Sequence, residues 1–294
     1  MTALISGVAV YLNGHAVKTF VAAGFSPATY TTLKNLVAAT LLLIVTTAAT
    51  RRTASSGFTR PRRPRQWIGL LFVGLVGGSV PFLLFFEGLA RASSTQAALL
   101  HKSLLIWVAI LAVPILGERL NAFHFGAIGL LIAGQIALAG GVTDLGFGQG
   151  EWMVLAATLL WAVEVIVAKR LLGDLSALTV GTARMGIGVV VLVGYGIATN
   201  AFAGMGGLTG SALAWVLLTG FVLTGYVTTW YAGLARAQAV DVTAVLVFGA
   251  VVTALLRNGF DGVTVASPLG LVLVTCGVVA VFVAALPKSH RTTH

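Results

Sequence analysis

Between Thr95 and Leu116 the chain reads TQAALLHKSLLIWVAILAVPIL, a membrane-length apolar stretch with two ionisable residues, His101 and Lys102, set inside it. About 20 residues at a helical rise of ~1.5 Å cross the roughly 30 Å hydrocarbon core of a bilayer. The run is not isolated. Comparable apolar runs at 3–22, 28–49, 66–89, 95–116, 122–141, 151–171, 177–199, 211–235, 240–258 and 267–286 predict an all-α membrane protein of ten transmembrane helices. The composition agrees: 58% of residues are hydrophobic and 9% charged, where soluble domains carry about 25%.

A formal net charge of +10 on a soluble chain would suggest nucleic acid as a partner. Here the basic residues gather between the apolar runs, so the partner they imply is the lipid bilayer and not nucleic acid. The loop 51–65, RRTASSGFTRPRRPR, holds six Arg and no acid. With that loop cytoplasmic, twelve basic residues fall inside and three, Lys18, Arg91 and Arg257, fall outside, while Lys34, Lys102 and Arg184 lie within helices. The expected placement is therefore the cell (inner) membrane, with the N- and C-termini cytoplasmic. The first segment, MTALISGVAVYLNGHAVK, has no basic n-region or cleavage site and reads as a span, not a removable signal. A single cysteine, Cys276, excludes an intramolecular disulfide and a thiolate metal site.

The halves echo each other. Gly88-Leu89-Ala90-Arg91-Ala92 closes the third run and Gly233-Leu234-Ala235-Arg236-Ala237 closes the eighth; Lys18 near the end of the first is matched by Lys169 near the end of the sixth. With five spans per half, an odd number, the second copy enters the membrane from the opposite side. The expected domains are a first five-helix repeat, 1–145, containing the basic loop, and an inverted second repeat, 146–294.

These residues resemble the ten-helix EamA-type branch of the drug/metabolite transporter superfamily. Trp161-Ala162-Val163-Glu164, with Lys169 following, resembles that family's repeat-opening pattern; Asn13 and Lys18 fall at the matching places of the first span, with Val10 where Trp would stand. Lys34 and Arg184 match its basic position in the second helix of each repeat, and Gly117-Glu118-Arg119-Leu120 matches the loop after its fourth helix. The second half has Asp261-Gly262-Val263-Thr264 in place of that loop, and Leu105 stands where the family commonly has Pro. The resemblance implies export or exchange of small metabolites through a central cavity lined by the first, third and fourth helices of each repeat.

Helix rise separates deep from interfacial polar residues. Glu164 and Asn13 fall about 15–20 Å into the bilayer, with His15 close by, while Lys34, His101 and Lys102 lie about 10 Å from the outer side and Arg184 about 12 Å from the inner. Intramembrane ionisable groups cost free energy and so mark candidate sites. Glu164 reads as a proton-coupling group or counter-charge for a substrate amine, or else as a static pair with Lys34 or Arg184. Asn13 reads as a substrate contact or as interhelical glue. Lys102 would hold a substrate carboxylate or phosphate, with His101 beside it, and Lys34 and Arg184 would bind substrate or brace helices. Glu87 with Arg91 one turn on reads as a surface ion pair.

Pro81 should interrupt the third span, made pliable by Gly77 and Gly78, and free carbonyl oxygens for a neighbour to satisfy. Gly74 and Gly78 form a GxxxG spacing that packs helices within the chain or joins a homodimer.

A secondary transporter of anionic or zwitterionic metabolites such as amino acids is the favoured function, because deep basic residues outnumber the deep acid. An exporter of cationic drug-like compounds is the alternative within that class. An intramembrane enzyme is the alternative outside it, but no His-Glu-x-x-His or Gly-x-Ser-Gly motif exists to serve it. Nor is there a nucleotide-binding glycine motif, so ATP is excluded and no cofactor is expected.

Overall fold

Nearly every stretch without turn residues becomes helix. A computed structural model describes residues 1–52, 58–92, 94–139, 141, 147–262 and 267–285. Residues 53–57 of the basic loop and 286–294, with Lys288 and Arg291, lie outside the described residues.

Thirteen α-helices among the described residues build ten spans: α1 (Thr2–Ala22), α2 (Pro27–Arg52), α3 (Pro64–Phe72) with α4 (Val80–Arg91), α5 (Ser94–Lys102) with α6 (Leu104–Leu116), α7 (Ala122–Leu138), α8 (Gln149–Leu171), α9 (Ala177–Ala198), α10 (Gly210–Arg236), α11 (Ala239–Leu246) with α12 (Gly249–Asp261), and α13 (Pro268–Ala285). Eight spans are long and apolar enough to cross a membrane; α7 is a shorter apolar helix, and α1 carries Asn13, His15 and Lys18. The helices fall within a few residues of the expected runs.

Three spans are interrupted, and the interruptions decide where polar groups can gather. In the third, Val73–Gly77 is π-helical and Ser79 leaves helical geometry at φ −135°, ψ −74°, just ahead of Pro81. Neighbours satisfy the carbonyls freed there: Trp161 Nε1 donates to Gly77 O at 3.2 Å and Asn35 Nδ2 to Gly78 O at 3.4 Å. A Cβ on Gly78 would run into Arg184 O, and one on Gly188 into Gly78 O, so the broken segment lies directly on α9. Gly74 and Gly78 are thus used inside the chain, Gly74 against Ile187. The fourth span breaks at Ser103 and the ninth at Val247–Phe248, at equivalent places in the two halves. Ser103 Oγ donates to Leu100 O at 2.6 Å and accepts from Trp107 Nε1 at 3.1 Å.

The fifth and tenth spans, α7 and α13, pack on each other where Gly134 faces Val274 and Gly270 faces Leu138. The end of the bundle carrying Arg60–Arg65 is laced across the two halves. Glu118 accepts from the amides of Ala239 and Val240 (2.5 and 3.1 Å) and so caps α11. Arg170 donates across to the carbonyl of Ile115 at 2.8 Å, while Lys169 donates within the second half to the carbonyls of Leu234 and Ala237, both at 2.7 Å. His124 Nε2 lies 3.1 Å from Asp241 Oδ1. At the other end Glu87 pairs with Arg91 at 2.6 Å, as the sequence predicts.

Candidate functional site

The central feature is a pair of half-sites, one from each repeat. In the first, α1 and α2 bring Asn13 and Lys34 together: Asn13 Oδ1 accepts from Lys34 Nζ at 3.0 Å and from Tyr30 OH at 2.6 Å, while its amide donates to Ala9 O. In the second, α8 and α9 bring Glu164 and Arg184 together, with Oε1 and Nε 4.0 Å apart. Tyr231 OH from α10 donates to the same Oε1 at 2.6 Å. The chemical pattern is one polar or acidic residue on the opening helix of a repeat and one cation on the next.

Aromatic rings connect the half-sites. Lys34 Nζ sits 4.2 Å from the Phe86 centroid, 5.1 Å from Tyr30 and 5.4 Å from Phe82. Arg184 Cζ sits 5.5 Å from Phe82 and 6.0 Å from Tyr231. These rings are neighbours the cations can use where water is scarce. Scarce it is: Lys34, Glu164 and Arg184 are only 2%, 1% and 5% exposed. The cluster is buried, with the Phe82 and Phe86 rings of α4 packed against its cations.

Arg184 is left with spare capacity. At 4.0 Å its contact with Glu164 is an ion pair but too long for a hydrogen bond. Its Nε and Nη1 are buried and have no hydrogen-bond partner among the described residues. Unmade hydrogen bonds of a buried guanidinium are costly, so the geometry is suited to an added acceptor. Gly77 makes room here, since a Cβ would stand 2.6 Å from Glu164 Cγ and 2.9 Å from Arg184 Nε.

Of the residues singled out in the sequence, Asn13, Lys34, Glu164 and Arg184 are thus brought together, with Gly77, Gly78 and Pro81 shaping the α4 side. His101 borders the cluster, its ring 5.0 Å from Phe85 and 5.2 Å from Trp161. Lys102 points elsewhere, into a crevice between the fourth, fifth and ninth spans. Adjacent helical residues project about 100° apart, which separates it from His101. His15 also leaves the cluster: its Nε2 lies 3.3 Å from Asp261 Oδ2, beside Tyr11 OH, which donates to Oδ1 at 2.8 Å. A cleft of about 630 Å³ opens at the basic end, lined by Glu118, Arg119, Lys169, Arg236 and Gln238 among others.

The family model of the EamA-like transporter family matches residues 1–139 and 148–283, one copy for each half. The chain belongs to the EamA-like transporter family. It is accordingly a multi-pass membrane protein of a transporter family, and the resemblance read from its motifs is correct. A curated relative, from Sinorhizobium sp, carries the description "Uncharacterized transporter in cobO 3'region" and is 33% identical over 75 residues, 26% of this chain and 52% of the relative. The chain spans about half the length of that relative. A solved crystal structure superposes with a TM-score of 0.73 at 20% identity, over 97% of this chain and 99% of its own, which speaks to the fold alone.

Sequence reasoning overlooked three contributors to this EamA site. Tyr30 and Asn35 look like ordinary helix residues, and only the helix packing puts them on Asn13 and Gly78. Tyr231 is one of several aromatics in the eighth span, with nothing in the sequence to say that its hydroxyl serves Glu164. Second helices of each repeat supply both cations, in addition to the first, third and fourth helices that the resemblance implies.

Proposed function

We propose that the protein is a secondary transporter, an exporter or exchanger of small anionic or zwitterionic metabolites such as amino acids, working by alternating access around the paired half-sites. The observation that carries this reading is Arg184, buried with two unused donors and close to Lys34. A substrate carboxylate bound there accepts from Arg184 and draws on the Lys34 charge. Glu164, held by Tyr231, faces the amino group of a zwitterion or takes up a proton when the substrate leaves. Asn13 keeps Lys34 in place. His101 and Trp161 wall the substrate's side chain.

The closed arrangement corresponds to an occluded state. Opening toward the basic end, which the Arg-rich loop makes cytoplasmic, requires release of the Glu118, Arg170 and His124–Asp241 contacts; the breaks at Gly78–Ser79, Ser103 and Val247–Phe248 supply the bending points. In this orientation the N- and C-termini are cytoplasmic, and the basic cleft concentrates anions at the inner mouth.

Counterflow in proteoliposomes tests the reading directly. Amino acids, organic acids, phosphates and quaternary amines are compared in the parent and in Arg184→Gln. Counterflow of carboxylates, lost in Arg184→Gln, supports it; counterflow confined to quaternary amines would replace it with cation export.

A further inference from the structure

Lys102 lies in the last turn of α5, eight residues and about 12 Å below the start of that helix, and the crevice it lines is of a different kind from the central cluster. The crevice holds about 220 Å³, room for roughly seven waters at ~30 Å³ each, but its walls are hydrocarbon: Leu99, Leu105, Ile106, Leu131 and Ile136. Its polar lining residues are Lys102 from α5, Gln135 from α7 and Ser103, whose hydroxyl is already engaged by Leu100 and Trp107. Gln135 is 8% exposed, and its Nε2 is buried with no hydrogen-bond partner. Among the described residues no carboxylate stands within 4.0 Å of the Lys102 ammonium. The floor is formed where both broken spans come together, at Ser103 and Val247.

A lysine and a glutamine with an unused amide N–H, lining an otherwise apolar slot, match a molecule with one acidic head and a hydrocarbon tail. A fully polar solute would leave the Leu and Ile walls unmatched, and a neutral hydrocarbon would leave Gln135 Nε2 without an acceptor. We propose that this crevice is a second binding site, for the head and first chain carbons of a single-chain amphiphilic carboxylate. Lys102 takes the carboxylate as its counter-ion, Gln135 donates to its second oxygen, and the chain lies along Leu131 and Ile136. Because the crevice touches both helix breaks, an occupant wedges the fourth and ninth spans and so biases the transport cycle. The site is independent of the substrate reading for Arg184.

The test uses the purified full-length protein in a neutral maltoside detergent with a photoreactive dodecanoate, and maps crosslinked peptides. Crosslinks are expected in 99–106 and 131–136, competed by dodecanoate and not by dodecanol. Lys102→Leu should lower this labelling about ten-fold or more, the cost of losing a charge-assisted partner in apolar surroundings, and Lys102→Arg should restore it. Gln135→Leu, which leaves the cation intact, should weaken it less. Undiminished labelling in Lys102→Leu, or equal competition by dodecanol, overturns the proposal. In a second arm, native mass spectrometry of protein taken from membranes separates the sources. A retained single-chain acid that dodecanoate displaces identifies the bilayer as the source, and uptake of dodecanoate from solution alone identifies a free acid, both supporting the site; a retained two-chain phospholipid that dodecanoate does not displace overturns the single-chain assignment.

Discussion

Lys34 and Arg184, cations from different repeats, stand 5.4 and 5.5 Å from the centroid of one ring, that of Phe82, so they are under about 11 Å apart, the sum of the two. When both are charged they repel by at least about 1.5 kcal/mol at an effective dielectric of ~20, and the Glu164 carboxylate offsets only one of them. A bound anion removes that excess. Neutralising either cation should therefore lower carboxylate counterflow about ten-fold or more, in Lys34→Met as in Arg184→Gln. Arg184→Lys, which keeps charge but loses the planar fork, should recover only part of it.

Glu164→Gln keeps an acceptor for Tyr231 and removes the charge facing Arg184. The expected result is tighter binding of the anionic solute, slower turnover and a flattened pH response of counterflow. A pH profile superposing on the parent's would remove Glu164 from proton coupling.

Gly77→Ala should damage the site without altering any polar group, because the new methyl meets Glu164 Cγ and Arg184 Nε. Overpacking of this kind costs about 1–3 kcal/mol. A lowered thermal midpoint together with lost carboxylate counterflow is expected; retention of both would mean that the π-helical segment of the third span yields freely there.

Glu118 caps α11 across the boundary between repeats, and Ala in its place forfeits the cap, worth about 1 kcal/mol. Populations should move toward the state open at the basic end. In a Cys276→Ser background, Gln238→Cys should react faster with a membrane-impermeant maleimide added from the side of the basic end when Glu118→Ala is also present.

Much of this was legible in the sequence because a bilayer leaves few options. Ten apolar runs could only become helices, and the Gly-Leu-Ala-Arg-Ala echo and the depth of Glu164, Lys34 and Arg184 pointed to a duplicated bundle with a polar centre. What stayed hidden was rotation about each helix axis. Depth could not tell that Lys34 takes Asn13 while Glu164 takes Arg184, nor that His15 turns toward Asp261 and Lys102 away from His101. The third-span break announced itself through Pro81, but the one at Ser103 has no proline, and Val247–Phe248 is ordinary apolar sequence.

The account rests on a substrate carboxylate meeting Arg184 at the centre of the bundle. The most direct measurement compares, by isothermal titration on the purified protein, an amino acid that counterflows with its amide, in which the carboxylate alone is replaced. The account predicts a Kd at least about ten-fold weaker for the amide in the parent, and a difference that vanishes in Arg184→Gln. Equal affinity for acid and amide in the parent would contradict it.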